Sequence, residues 1–460
     1  MAPVTSSAPV ILWFRRDLRL ADHPALHAAA AVGPVLPVFV HDPALAGPSG
    51  VNRVVALHAT LDALAADLAQ RGATLVERSG RPCEVVAALA QEVGASEVHV
   101  TGDHGPYGSV RDGEVAEALT ADGRRLVATG TPYAVAPGTL STKAGGPFRV
   151  FTPFSRAWRA HGWPAPRPEP SSVRWHGGVA SEARPATPAP SATADLPPMG
   201  ERAAWAAAEA FLDRRVDAYR DQRDRPDLDA TSRLSPHLKF GSLHPRQLLD
   251  RLGDEPGHLT FASELCWRDF YADVLHHRPD SARRNYVRTM DGLAWDSGPE
   301  ADERFEAWCH GRTGYPIVDA GMRQLLEQGW MHNRVRMIVA SFLVKDLHLD
   351  WRRGARWFME HLVDGDLASN QHGWQWTAGT GTDAAPFFRV FNPIAQGRRF
   401  DPDGDYVRRF VPELRHLVGA DVHEPPVGNG DLFSAQLDYP APIVDHAAER
   451  REALDRYQRR

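Results

Sequence analysis

Residues 10–14 read VILWF and residues 34–40 read PVLPVFV, and neither run alternates apolar with polar residues. A strand with one wet face would alternate; a continuous apolar run predicts a strand buried on both faces. Three more short runs follow: ATLVE (73–77), EVHVTG (97–102) and RLVAT (125–129). Between them lie Ala-rich stretches with helical spacing, such as RVVALHATLDALAADLAQ (53–70). Helices intervening between buried strands make the sheet parallel, so this region is expected to be an α/β doubly wound domain.

Beyond it the pattern changes. Residues 161–198 are rich in Pro, Ala and Ser and read as a linker, wrapped over the surface or partly mobile. From residue 201 the strand signature fades, and YPIVDAGMRQLLEQG (315–329) and NRVRMIVASFLVKDL (333–347) carry apolar residues at three-and-four spacing. The expected organisation is an α/β domain over 9–135, a connection over 136–200 and an all-helical domain over 201–460. HAAERREALDRYQRR (446–460) reads as a solvated terminal helix.

A chain of 460 residues, 43% hydrophobic and 24% charged, has material for two folded cores. Its net charge of -6 argues against indiscriminate coating of nucleic acid, so any such site is a local patch. Cys83, Cys266 and Cys309 are odd in number and lack CxxC spacing, which suggests neither a disulfide framework nor a zinc site. With no apolar run near ~18 residues and no charged segment ahead of an apolar one at the start, a soluble cytoplasmic protein is expected.

No GxxxxGK[ST] is present, and no GxGxxG follows a strand, so ordinary ATPase and dinucleotide-dehydrogenase readings lose their support. TSRLSPHLKFG (231–241) places three hydroxyls ahead of a helical pattern, which suits either a plain N-cap or a cradle for a pyrophosphate. ELCWRDFY (264–271) sets Glu264, Trp267, Arg268 and Tyr271 on one helical stripe, poor core material unless it lines a polar cavity. In WMHNRVRM (330–337), Asn333, Arg336 and Met337 share a face. Between residues 329 and 356, six Arg or Lys stand against two Asp, the excess a phosphate backbone would need. Arg336 and Asp364 are expected to pair, because a guanidinium forks onto a carboxylate and neither tolerates burial alone. His276 and His277 adjoin, but no third ligand is spaced to suggest a metal.

Taken together these segments resemble the photolyase and cryptochrome flavoproteins, most closely the class I cyclobutane pyrimidine dimer photolyases. WFRRDLRLADHPAL (13–26) is similar to the opening of their α/β domain and VFTPFSRAW (150–158) to its exit. TSRLSPHLKFG, ELCWRDFY, residues 313–347, residues 364–393 and QGRRFDPDGDYVRRFVPEL (396–414) resemble their helical domain. The resemblance implies a Rossmann-like five-stranded antenna domain joined to a helical domain that holds FAD, active as FADH⁻. It implies that Tyr219, Thr231, Ser232, Leu234 and Ser235 hold the FAD phosphates and ribityl chain, and that Asp364, Asp366, Arg336 and Asn370 border its ring. Glu264, Trp267, Asn333, Met337 and Trp376 fall where these enzymes surround a flipped pyrimidine dimer. Arg223, Arg334 and Arg389 fall near the DNA backbone. Trp374, Trp351 and Trp295 match the three tryptophans that re-reduce the flavin from the surface.

The family includes photoreceptors without repair activity, which is the competing reading. Asn370 argues for repair, since an amide keeps the flavin N5 environment neutral where Asp could protonate it. Glu264, Asn333 and Met337 point the same way. Six-four photoproduct enzymes carry two histidines where this chain has Asn333 and Met337, so the cyclobutane dimer is the expected lesion. For the antenna, folate-binding members carry Asn-Glu where this chain reads Tyr107-Gly108. An 8-hydroxy-5-deazaflavin is therefore expected over methenyltetrahydrofolate, with Asn52, Arg53, Asp103 and Tyr107 as contacts. A monomer acting on dimer-containing DNA, away from membranes, completes the expectation.

Overall fold

The structure is a computed structural model and describes residues 8–384, 386, 389–426 and 438–459. Contacts divide the chain into two compact units: one holds the chain up to Ala189 with Pro197–Val216 and Ser232–Pro279, the other Pro190–Leu196, Asp217–Thr231 and the chain from Asp280 onward.

In the first unit the five apolar runs form five strands: β1 (Val10–Phe14), β2 (Val35–His41), β3 (Val76–Ser79), β4 (Glu97–Val100) and β5 (Arg125–Ala128). The sheet order is β3-β2-β1-β4-β5 with every pairing parallel. Residues of β1 are buried throughout, as its unbroken apolar run requires, and β5 at the edge is half exposed. Ile11, Trp13, Val38, Val98 and Val100 build the core with Val115 and Leu119 from the helix Pro106–Ala121. The chain reverses its winding between β1 and β4, and in open α/β sheets ligands bind beyond the carboxyl ends of the strands at such a point.

The Pro-rich stretch is ordered against this sheet where it passes β2 and β3. Val35 N–H donates to Arg174 O at 2.7 Å, and His176 N–H donates to Val35 O at 2.9 Å. Further on, Glu77 N–H donates to Ser181 Oγ at 2.8 Å and Ser79 N–H to Glu182 Oε2 at 2.8 Å. Arg184 then forks onto the Glu77 carboxylate at 2.7 and 2.8 Å. These bonds use backbone groups and isolated polar side chains, which leave no periodicity to read.

The helix Pro256–His277 groups with the sheet rather than with the helices after Asp280. Its inner face explains why. Asp269 Oδ2 accepts from Val135 N–H at 3.1 Å and from Trp158 Nε1 at 2.9 Å, and Asp273 Oδ1 accepts from Gly138 N–H at 2.8 Å. Burial pushes the Asp269 carboxyl up to about 6.

The second unit is helical. Trp308, Val339, Leu343, Trp351, Phe358 and Trp374 share its core, and the helix Asn333–Lys345 packs against both Trp351–His361 and Leu367–Ala378. Asp366 caps the last of these through Ser369 N–H at 3.2 Å, and Gly379 ends it in the left-handed region at φ 72°. The terminal helix His446–Arg459 is anchored rather than solvated. His446 Nδ1 meets Asp346 at 2.5 Å, Glu449 meets His348 Nε2 at 2.7 Å, and Tyr457 O–H donates to Ala378 O at 2.5 Å. Among the described residues no helix is long and apolar enough to cross a membrane.

Candidate functional site

In the helical unit the residues expected to border the flavin ring come from neighbouring elements. Arg336, one turn into Asn333–Lys345, donates from Nη2 to Asp364 Oδ2 at 2.9 Å and from Nε to Met331 O at 2.8 Å. The pair foreseen from charge is present, with the carboxylate buried and the guanidinium half-buried. Asp366 lies two residues on, at the start of Leu367–Ala378, and Asn370 sits on that helix's first turn. Asn370 Nδ2 donates to Ala355 O at 3.0 Å and to Gln371 Oε1 at 2.9 Å. Both partners are acceptors, which fixes the amide's orientation and leaves Oδ1 as the atom able to meet a ring N–H.

The two indoles of WQW part company because this stretch is helical: residues two apart differ by about 200° around a helix. Trp374 is 3% exposed, whereas Trp376 is half-buried. Trp374 meets Phe358 edge-on at 5.0 Å and Trp308 edge-on at 6.1 Å. Its Nε1 has no hydrogen-bond partner among the described residues. Trp351 is fully buried and donates from Nε1 to Asn285 Oδ1 at 2.9 Å. Trp295 is half-buried and packs against that core and against Met290, Leu293 and Tyr457. Exposure thus increases from Trp374 and Trp351 to Trp295.

Asn333 is exposed at the start of its helix, whose cap is His332 accepting from Arg334 N–H at 3.2 Å, and Met337 one turn later is half-buried. Tyr219 is buried, with the Arg223 guanidinium 5.8 Å from its ring centroid. Arg334 donates to Asp224 at 2.8 Å, and Arg223 lies 3.8 Å from the same carboxylate. Asp224 thus joins two arginines and was not singled out, although RDQRDRPD alternates charge around it. Arg389 is exposed and presents its backbone carbonyl to Lys345 Nζ at 2.7 Å.

The positive excess over residues 329–356 does not form one face. Arg336 is committed to Asp364, Arg353 pairs with Asp302 at 2.8 Å and Arg352 with Asp350 at 2.9 Å. Lys345 is 1% exposed, and burial lowers its amine to about 8. Counting charges does not reveal which of them already have partners. Between about pH 8 and 10.5 the unfolded chain holds more protons at Lys345 than the folded one, so its contribution raises stability as pH climbs through that window. Denaturant midpoints measured from pH 7 to 10 are expected to show this rise, and Lys345→Met to flatten it.

In the sheet-containing unit, Thr231's neighbours Ser232, Leu234 and Ser235 lead into a six-residue helix, Ser235–Phe240. No hydroxyl caps it: Leu234 occupies the cap position, and Ser232 Oγ accepts from Leu234 N–H at 3.4 Å. The plain-cap reading of these hydroxyls is therefore absent. Arg233 between them sits at φ 52°, a conformation costly for a side chain with a Cβ and one that recurs at functional turns. Thr231 itself belongs to the other unit and is half-buried.

Glu264, Trp267, Arg268 and Tyr271 form a half-buried stripe on Pro256–His277. Trp267 stacks face to face on Phe151, 3.6 Å between centroids and 4° between planes. Phe151 opens the helix Phe151–His161 within VFTPFSRAW and fixes the tilt of Trp267, a role visible only once the fold joins them. Arg268 is turned inward, donating to Pro132 O at 2.9 Å with its guanidinium 4.5 Å from the Tyr133 ring centroid.

Asn52 and Arg53 are buried at the start of Val51–Ala69, Arg53 donating to Pro48 O at 3.3 Å. Asp103, just past β4, accepts from Gly105 N–H and from Arg111, each at 3.1 Å. Tyr107 O–H donates to Asp42, just past β2. Asp103 and Tyr107 thus stand at the carboxyl ends of β4 and β2, while Asn52 and Arg53 open the helix Val51–Ala69. His276 meets the His104 ring at 6.0 Å and His277 lies 3.7 Å from Asp273. Among the described residues no group of three His, Cys, Asp or Glu is placed to hold a metal ion.

Comparison with known proteins gives the same reading for both parts of the chain. Residues 10–171 match the family described as DNA photolyase, and residues 261–459 match the FAD binding domain of DNA photolyase. A deoxyribodipyrimidine photo-lyase of Streptomyces griseus is 44% identical over 98% of this chain and 99% of its own. One from Agrobacterium fabrum is 42% identical over 98% of each. The solved class III photolyase from Agrobacterium tumefaciens superposes with a TM-score of 0.93 at 40% identity, covering 100% of this chain and 99% of that one.

Proposed function

The chain belongs to the DNA photolyase family, and from that premise we propose that it repairs cyclobutane pyrimidine dimers in DNA under light, with FAD as its cofactor. The observation that carries repair over signalling is Asn370, whose Nδ2 is committed to Ala355 O and Gln371 Oε1. A carboxamide held this way accepts a hydrogen bond and has no acidic proton to give.

The donor set fits the flavin: a half-buried guanidinium paired with Asp364, an oriented amide acceptor and a buried Trp374 beside them. The chemistry FAD would supply when bound, as its reduced anion, is a photoexcited electron lent to the dimer and taken back. Arg336, Asp364, Asp366 and Asn370 hold and polarise the ring. Tyr219, Thr231, Ser232, Leu234 and Ser235 hold the phosphate and ribityl end. Trp374, Trp351 and Trp295 carry electrons inward from the surface when the cofactor has become oxidised. Glu264 and Asn333 satisfy the polar edge of the dimer, while Trp267, Met337 and Trp376 supply apolar walls that exclude water. The antenna proposed is an 8-hydroxy-5-deazaflavin held by Asn52, Arg53, Asp103 and Tyr107, and the protein is taken to act as a cytoplasmic monomer.

Illumination of dimer-containing DNA with the reduced protein tests the reading: dimers should disappear under blue light, and their persistence would overturn it. Glu264→Ala should leave flavin bound but lower repair per absorbed photon, since a hydrogen bond of about 1–3 kcal/mol to the dimer is lost. An unchanged yield at saturating DNA would remove Glu264 from the site. DNA affinity should weaken with salt, Arg223, Arg334 and Arg389 each contributing about 0.9 to the logarithmic slope. A flat response would show that these arginines do not meet the backbone.

A further inference from the structure

The two buried tryptophans assigned to the electron path differ at their indole N–H groups. Trp374 Nε1 has no hydrogen-bond partner among the described residues. Trp351 Nε1 donates to Asn285 Oδ1 at 2.9 Å, and Asn285 is itself 2% exposed. The amide is aimed from its far side, where Nδ2 donates to Met290 O at 3.1 Å and to Asp291 Oδ1 at 2.9 Å, both on the turn Arg288–Gly292. Two acceptors on Nδ2 leave Oδ1 as the end that faces the indole. Trp374 also reaches the helix that carries Trp351. A Cβ built on Gly354, three residues on from Trp351, would overlap the six-membered ring of Trp374 on one side and Leu343 Cδ2 on another.

Taking an electron from a buried indole leaves a positive charge in a dry site, which is costly unless an acceptor dipole faces it. At Trp351 the Asn285 carbonyl turns its negative end to Nε1–H, and the carboxylate bonded to Nδ2 polarises the amide in the same sense. The neighbouring cations are paired. The Arg352 guanidinium, 5.1 Å from the Trp351 ring centroid, is held by both oxygens of Asp350 at 2.9 and 3.1 Å. Arg288 lies 3.5 Å from the other oxygen of Asp291, where both side chains meet solvent and the attraction is screened. Trp374 has no comparable acceptor at its N–H.

We infer that Asn285 is a positioning residue of the electron path: its amide oxygen makes Trp351 easier to oxidise than Trp374 and so drives the hole outward. The inference rests on the proposed path through Trp374, Trp351 and Trp295. Once the light-excited, oxidised isoalloxazine has drawn one electron from Trp374, one electron passes from Trp351 to the Trp374 radical cation. Trp374 is restored and Trp351 becomes the radical cation, with no bond made or broken. Its proton stays on Nε1, because a neutral carboxamide oxygen accepts a hydrogen bond but is too weak a base to take the proton. The charge therefore passes on to Trp295 instead of being trapped halfway.

Flash spectroscopy on flavin-loaded protein carrying Trp295→Phe, which ends the path at Trp351, reads the balance between the two buried indoles. A hole on Trp351 returns to the flavin more slowly than one on Trp374. Adding Asn285→Leu should draw the hole back to Trp374 and speed that return roughly tenfold, the factor that one hydrogen bond carries. Adding Asn285→Asp, which is close in shape, should do the opposite: the carboxylate takes the indole proton, and a neutral Trp351 radical with a longer life appears. In the dark, the Raman band that reports hydrogen bonding at the Trp351 indole, identified by its loss in Trp351→Phe, should move to its unbonded position in Asn285→Leu. A band that moves while the return rate stays at the parent value overturns the role of Asn285 and leaves the path standing. A band that does not move overturns it as well. If Asn285→Leu fails to fold, Asn285→Asp decides, and a radical that remains cationic with the parent lifetime overturns the inference. Absence of any indole radical in the parent protein overturns the path, and the inference with it.

Discussion

Trp374→Phe is expected to abolish light-driven reduction of oxidised FAD while sparing repair by protein reduced chemically beforehand. Phe is far harder to oxidise than Trp, so the first step of the proposed path should fail, whereas the proposed repair electron comes from the cofactor itself. The substitution is structurally mild. The Trp374 indole N–H has no hydrogen-bond partner to lose among the described residues, and the smaller ring keeps its edge contact with Phe358. A stability loss of about 1–2 kcal/mol covers the volume removed. The companion Trp376→Phe should leave photoreduction intact and weaken dimer binding by about 0.5–1.5 kcal/mol. Flavin absorbance under illumination and dimer-DNA titration on both variants decide the matter. Loss of the same property in both would dissolve the division between the two indoles.

Arg336→Met should strip the protein of flavin and lower its stability together. The Asp364 side chain is 3% exposed and would lose its guanidinium. Removing one partner of a buried pair costs about 3–5 kcal/mol, and the 24% exposure of Arg336 brings the expectation down to about 2–3 kcal/mol. Adding Asp364→Leu should recover most of that stability, because no charge is then left buried, but it should not recover the flavin. Absorbance per mole of protein and denaturant midpoints on the single and double variants separate the two effects. A single variant that keeps its flavin would remove Arg336 from the ring's border.

What the sequence revealed, and what it concealed, follows from the kind of force involved. The five strands were readable because burial on both faces forces unbroken apolar runs. Arg336 and Asp364 were readable as a pair because opposite charges seek each other at any separation along the chain. The run of cations over 329–356 misled for the converse reason: Asp302, which holds Arg353, lies outside it, and the same burial that dries Lys345 leaves no mark on a charge count. Phe151 beneath Trp267 was hidden because a stacked partner 116 positions away has no signature in either segment. The terminal helix looked solvated because its polar residues are numerous, and only the fold shows His446, Glu449 and Tyr457 reaching fixed partners.

The Pro-rich stretch that runs along β2 and β3 bears on how this protein stays apart from its own copies. Without it, Glu77 and Ser79 would offer unpaired backbone groups at the margin of a parallel sheet, a template on which a strand from another molecule could grow. Ser181 and Glu182 take up those groups with side-chain oxygens, and the many prolines nearby cannot themselves donate to a further strand. The segment that joins the parts of the chain thus also seals one border of the sheet, so a nick or insertion near Ser181 would carry an aggregation hazard well away from any chemistry.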